Sequence, residues 1–240
     1  MSRRLLALTL ALVAATPLAA RAQERPGIRP IVPPTRFYID ITGVLEVPHD
    51  QFSNYVGNGG GLNVGFLARL SRNGAALLRL DAGYLVYGRE TRRSCLSETV
   101  GCLITVDVTT SNDIFVAGIG PQFMVPRGPI RPYVTGTAGL AYFFTHSSIE
   151  GSNNSEPFAD TKHFDDLVFA WTGGGGVLIP VRGGRTPILI DLGARYHDNG
   201  DVSYLREGSI TVQPGGSLLI RPIRSRANFI SYHLGVAIGL

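Results

Sequence analysis

Ser231 and His233 are the first residues in this 240-residue chain whose types and spacing could do chemistry. On a strand, two apart means the same face. A serine nucleophile needs a histidine base within hydrogen-bond reach and an acid to orient that base. No motif supplies the acid, so the pair reads first as part of a polar face. Cys95 and Cys102 are the only cysteines. In an exported chain their spacing suits a disulfide closing a small loop. No His/Asp cluster flanks them, so no metal site or thiol nucleophile is indicated. The glycine run 173–176 lacks the strand–loop–helix context and the Lys-Ser/Thr of a phosphate cradle, and no cofactor is implied. Arg89, Arg92 and Arg93 form a basic run that could touch phosphates, although a charge run of this kind reads first as a solvated face.

The elements that carry these residues share one pattern. In the last twelve residues Ile230, Tyr232, Leu234, Val236, Ile238 and Leu240 lie on one face, with Ser231, His233, Gly235, Ala237 and Gly239 on the other. Period-two alternation marks a strand whose faces meet different surroundings. Seven earlier segments alternate likewise: 36–47, 61–70, 77–87, 112–125, 131–145, 166–181 and 188–197. Most are long enough for a tilted spanning strand of about 9–11 residues. The connections alternate too. Short turns at 71–74, 126–129 and 182–185 carry glycine or proline, and long polar stretches fill 48–60, 88–111, 146–165 and 198–226. Within the last, 208–212 and 218–223 are too short to span and read as a hairpin extending the loop. The pattern predicts an all-β fold, an eight-stranded antiparallel up-and-down transmembrane β-barrel with short periplasmic turns, long external loops and periplasmic termini.

Polarity decides which face is inside. One face is continuously Leu, Ile, Val, Ala and aromatic. The other holds Asp40, Glu46, Arg69, Arg79, Asp81, Asp191, Arg195 and His233 among Gly, Thr and Asn. Charges of both signs suit a lumen filled by paired side chains, since eight strands leave little open space. The apolar face then points into lipid. Tyr84, Tyr142, Phe144 and Trp171 towards the long loops, with Phe37 and Phe123 towards the short turns, would form two interface girdles. A lipocalin-like soluble barrel would reverse the polarity.

Residues 1–22 read as a cleaved signal peptide: Arg3 and Arg4, an apolar core over 5–15, and Ala20-Arg21-Ala22 before Gln23. The segment 23–35, with four prolines, reads as an extended periplasmic leader, and 36–240 as the barrel domain. Removing Arg3, Arg4 and Arg21 leaves 19 basic against 18 acidic residues, so no global basic field points to nucleic acid.

Three stretches then stand out together: the Pro-Tyr-Val-Thr-Gly-Thr-Ala-Gly-Leu-Ala-Tyr run at 132–142, the Asp-Leu-Gly-Ala-Arg-Tyr run at 191–196, and the terminal strand. On these the chain resembles the OmpA/OmpX-like family of small outer-membrane β-barrels over 36–240. The resemblance implies a bacterial outer-membrane location and insertion by the barrel assembly machinery. That machinery usually meets a terminal aromatic residue; here the position is Leu240. The expected role is structural, adhesive or surface-interacting, carried by the loops of a monomeric barrel in contact with lipopolysaccharide, without catalysis. A lipid A-modifying enzyme built on Ser231 and His233 and a narrow, porin-like pore are the alternatives.

Overall fold

The computed structural model describes residues 35–95, 105–151, 154–212 and 218–240. The signal segment, the leader before residue 35, Cys102 with the expected disulfide, and the Pro-Gly-Gly turn at 214–216 lie outside the described residues. The chain divides at Ile31/Val32, and the unit Val32–Leu240 holds every described element.

In order these are β1 (Phe37–Pro48), a 3-10 turn (Phe52–Asn54), β2 (Gly59–Arg69), β3 (Ala76–Cys95), β4 (Thr105–Met124), β5 (Arg131–Gly151), β6 (Asn154–Arg182) and β7 (Ile188–Asp198). There follow β8 (Asp201–Tyr204), β9 (Ile210–Val212), β10 (Leu218–Ile220), β11 (Ile223–Arg226) and β12 (Phe229–Gly239). Eight of them close into an antiparallel barrel, β1-β12-β7-β6-β5-β4-β3-β2. Closure is made by β1 on β12, in register from Tyr38 opposite Gly239 to Pro48 opposite Phe229. The barrel therefore has no free edge whose backbone groups lack partners.

The eight expected segments are the eight barrel strands, and the alternation sets their orientation. Along β12, Phe229, Ser231, His233 and Ala237 are buried while Tyr232, Leu234 and Val236 are exposed. The three short turns fall where glycine can take a left-handed backbone: Gly74, Gly128 and Gly184 all have positive φ. In the first, Ser71 Oγ accepts from Ala76 N at 2.8 Å and Asn73 Oδ1 from Ala75 N at 3.1 Å.

Two of the expected polar loops are not loops. β3 and β4 stay paired from Gly88 opposite Asn112 to Cys95 opposite Thr105, and β5 with β6 from His146 opposite Lys162 to Gly151 opposite Asn154. β3 alone runs 20 residues, about 66 Å at ~3.3 Å per residue, roughly twice what a bilayer requires. A four-stranded ribbon thus projects beyond the barrel, leaving it at bulges between Val86 and Gly88 and between Thr145 and His146. Polarity on both faces of 88–111 and 146–165 reported contact with water, not loss of strand. Hydroxyl pairs span the ribbon, with Thr91 to Thr109 at 3.0 Å and Thr110 to Ser147 at 2.7 Å. The last long connection is different. It folds back as two small hairpins, β8 with β11 and β9 with β10, the second being the hairpin expected from the sequence.

Candidate functional site

Three layers fill the lumen, and β3 passes through all of them. From the short-turn end its inward residues are Leu77, then Arg79 and Asp81, then Leu85 and Tyr87. Leu77 belongs to an apolar layer with Leu67, Met124, Tyr133, Leu178, Leu189 and Ala237. Leu85 and Tyr87 belong to a second, at the mouth, with Phe52, Ile114, Phe143, Val202, Tyr204 and Phe229. The mouth layer is a lid. The 3-10 turn brings Phe52 onto Tyr204, ring centroids 5.1 Å apart. The β8–β11 hairpin lays Val202 and Tyr204 over the opening, and Tyr87 donates its hydroxyl to Leu205 O at 3.0 Å. Both apolar layers went unseen in the sequence, where the inward face looked uniformly polar.

Between the layers lies an ionic cluster centred on Arg79. Its Nη2 donates to Asp40 Oδ2 at 2.6 Å, its Nε to both Asp81 oxygens at 2.8 and 2.9 Å, and its Nη1 to Gln122 Oε1 at 3.0 Å. Arg195 approaches Asp81 at 3.3 Å, and Asn63 donates to the same carboxylate at 3.2 Å. Arg79 and Asp40 are each 1% exposed. A buried cation of this kind holds only with its anions in contact, because each lone charge would carry a large desolvation cost. Gly65 makes the room: a Cβ there would sit 2.8 Å from Arg79 Nη2 and 3.1 Å from Asp81 Oδ1. A second cluster joins Tyr133 OH to Asp191 Oδ1 at 2.8 Å and to His233 Nε2 at 2.9 Å. There Gly193 clears space for the His233 ring.

Six of the eight expected lumenal residues are thus brought into two clusters. Glu46 and Arg69 are not. Glu46 faces inward but is fully buried beside the mouth layer, and its oxygens take no hydrogen bond from the described residues. Arg69 lies half-buried at the short-turn rim, beside Arg72, Arg127 and Arg131. Gln122, Tyr133 and Asn63 are the members that charge alone did not reveal, although their parity put them on the inner face.

Ser231 and His233 do not meet. Ser231 Oγ lies 2.9 Å from His197 Nε2 instead, and His197 Nδ1 faces Thr172 Oγ1 at 3.2 Å. The His197 ring stacks on Phe229 at 4.3 Å. The partner of Ser231 therefore sits on the neighbouring strand, and a threonine holds the place an orienting acid would take. Lumenal cavities of about 30 and 20 Å³ adjoin Arg195, room for one or two waters and none for a substrate.

Outside the lumen, Phe37 stacks on Phe66 at one end, while Tyr142 stacks on Phe144 and Trp171 packs by Tyr196 at the other. On the ribbon Arg92 pairs with Glu90, and Arg93 with Asp107 at 3.1 Å. Two recesses open at the mouth. One of about 340 Å³ lies between the ribbon and the stretch Arg206 to Ile210, with Val108 and Ile149 on its floor. The other, about 670 Å³, is bounded by Tyr55, Tyr87 and Arg89.

The molecule is a closed eight-stranded antiparallel β-barrel with large apolar side chains outside and charges within. Among solved structures it is similar to the Neisserial surface protein A, at 11% identity and TM-score 0.47 over 85% of this chain and 97% of that one. It is similar also to Ail, the attachment invasion locus protein of Yersinia pestis, at 11% identity and TM-score 0.38 over 86% and 99%. A major outer membrane protein of Thermus thermophilus matches at 11% identity and TM-score 0.37, over 84% and 99%. At this distance the likeness carries no inference about ligand or role. No protein-family model and no curated protein matches the chain.

Proposed function

We propose that this chain is an integral protein of the bacterial outer membrane, a closed barrel whose projecting ribbon and mouth serve a structural, adhesive or surface-interaction role. One observation carries the reading. Large apolar residues stand exposed around the wall, among them Leu62, Phe169 and Leu234 at 62%, 67% and 61%, while Asp40 and Arg79 are buried at its centre. In water such a belt would far exceed the few hundred Å² a soluble monomer tolerates; lipid covers it at no cost. The belt has a definite height. None of the exposed large apolar residues falls in the described parts of 88–111 or 146–165, which leaves the ribbon in water.

On this reading the signal 1–22 is cleaved, the assembly machinery inserts the monomer, and the ribbon stands among lipopolysaccharide. The layered lumen argues against a pore, and the Ser231–His197 contact, closed off from acyl chains and lacking an acid, argues against a lipid A-modifying enzyme. Outer-membrane fractionation with heat-modifiable gel migration tests the location. Recovery in the soluble periplasmic fraction without a mobility shift would overturn it. Planar-bilayer recording should show no steady channels, and lipid A mass should be unchanged on expression.

A further inference from the structure

The two ends of the barrel differ in charge. At the short-turn end, Arg36 precedes β1, Arg69 and Arg72 flank the first turn, Arg127 and Arg131 the second, and Arg182 and Arg185 the third. The residues 35–39, 67–78, 121–134, 178–190 and 236–240 that form this end contain no Asp or Glu. The nearest acidic side chains, Asp40 and Asp191, are buried in the lumen and engaged there. Among the described residues none of the seven arginines makes an ion pair, whereas at the other end Arg92, Arg93 and Lys162 each do. Arg69, Arg72, Arg127 and Arg131 line a recess of about 310 Å³, and the Nε of Arg131 is buried without a hydrogen-bond partner.

The apolar belt reaches this same level. Leu70 follows Arg69, Val125 comes just before Arg127, Ile130 precedes Arg131, and Val181 precedes Arg182; all four apolar side chains are exposed. Each short turn therefore carries both an exposed guanidinium (Arg72, Arg127, or Arg182 with Arg185) and an outward aliphatic group. A soluble polyanion would use the charge and leave the aliphatic groups wet. A phospholipid meets both, with phosphate to the guanidinium and acyl chain to the aliphatic side chain.

We propose that the short-turn rim is a docking collar for anionic phospholipid headgroups in the leaflet on that side. This rests on the membrane reading above. The collar fixes the barrel's depth and concentrates acidic lipid around it, since basic residues next to an anionic surface are attracted over about a Debye length.

The test uses the whole chain refolded in phosphatidylcholine vesicles carrying spin-labelled phosphatidylglycerol or spin-labelled phosphatidylcholine, with the motionally restricted lipid counted by electron paramagnetic resonance. The wild type should prefer phosphatidylglycerol by on the order of fivefold, falling in high salt. Arg72→Gln, Arg127→Gln, Arg182→Gln and Arg185→Gln combined should bring the preference close to one. Arg89→Gln, Arg92→Gln and Arg93→Gln combined should leave it intact. Heat-modifiable migration checks that each variant is folded, and the pair Arg72→Gln with Arg127→Gln, expected to lower the preference part-way, replaces the fourfold variant if that one does not fold. Restricted lipid without headgroup preference, or a preference that survives loss of the rim arginines or vanishes with the ribbon arginines, would overturn the collar alone. Absence of restricted lipid of either kind would sink the collar and the membrane reading together.

Discussion

The lower and upper halves of β3 to β6 continue one antiparallel ladder across the bulges and differ chiefly in their side chains. Below the bulges, apolar residues point out and polar or lumen-filling ones point in. Above, both faces are largely polar, and cations such as Arg93 find partners on the surface. Backbone pairing is indifferent to the solvent; on the membrane reading proposed above, the faces decide which half is in lipid and which in water. The same difference sets what a mutation costs, because a lost partner inside the lumen strands a charge and a lost partner on the ribbon does not.

Arg79→Ala should therefore be the most damaging change, leaving Asp40 buried without its cation and Asp81 with Arg195 alone. A loss of about 3–5 kcal/mol is expected, measured by urea unfolding in lipid vesicles. A value within about 1 kcal/mol of wild type would break the contrast at its strongest point. On the wall, Leu80→Arg should cost about 2–4 kcal/mol near the bilayer midplane in the same assay, whereas an arginine placed at Thr91 on the ribbon should cost little. Equal costs at the two positions would remove the distinction between wall and ribbon.

On the ribbon, Arg93→Ala breaks an exposed pair and should change stability by less than about 0.5 kcal/mol. The smallest effect concerns Asp165 at the base of the ribbon. Hydrogen bonds from Lys162 and from the Tyr142 hydroxyl hold its carboxyl below the ordinary range. A lowered folded value means that its contribution is present above the ordinary carboxylate range and lost as pH falls through that range and below. Acidification should therefore loosen amides around Asp165 slightly, seen by hydrogen exchange. Loosening on raising the pH from neutral would have the wrong sign.

The strand count, the parity and the three short turns were legible because alternation and glycine-bearing turns are local signals. The apolar lumen layers were not, because Leu67, Leu77, Leu85, Phe143 and Leu189 each sit beside an outward apolar residue. In pairs such as Phe66-Leu67 and Leu77-Leu78, only register says which member is inside. The ribbon was misread as loop because polarity speaks of water while pairing depends on a partner strand. The lumenal charges could be listed from parity, but not who meets whom. Ser231 meets His197 across β12 and β7, a contact fixed by barrel stagger and absent from any spacing within one strand. Glu46 and Arg69 shared the parity of the cluster but not its depth along the axis.

On the membrane reading proposed above, lipid wets the outer face of the wall. Nitroxide labels at Leu80, Leu192 and Val236, in protein reconstituted in vesicles, test it through relaxation by dissolved oxygen and by a water-soluble nickel chelate. Strong oxygen and weak nickel relaxation are predicted at all three, with the reverse at Thr91 on the ribbon. Labels on the wall that are open to nickel and shielded from oxygen would contradict it.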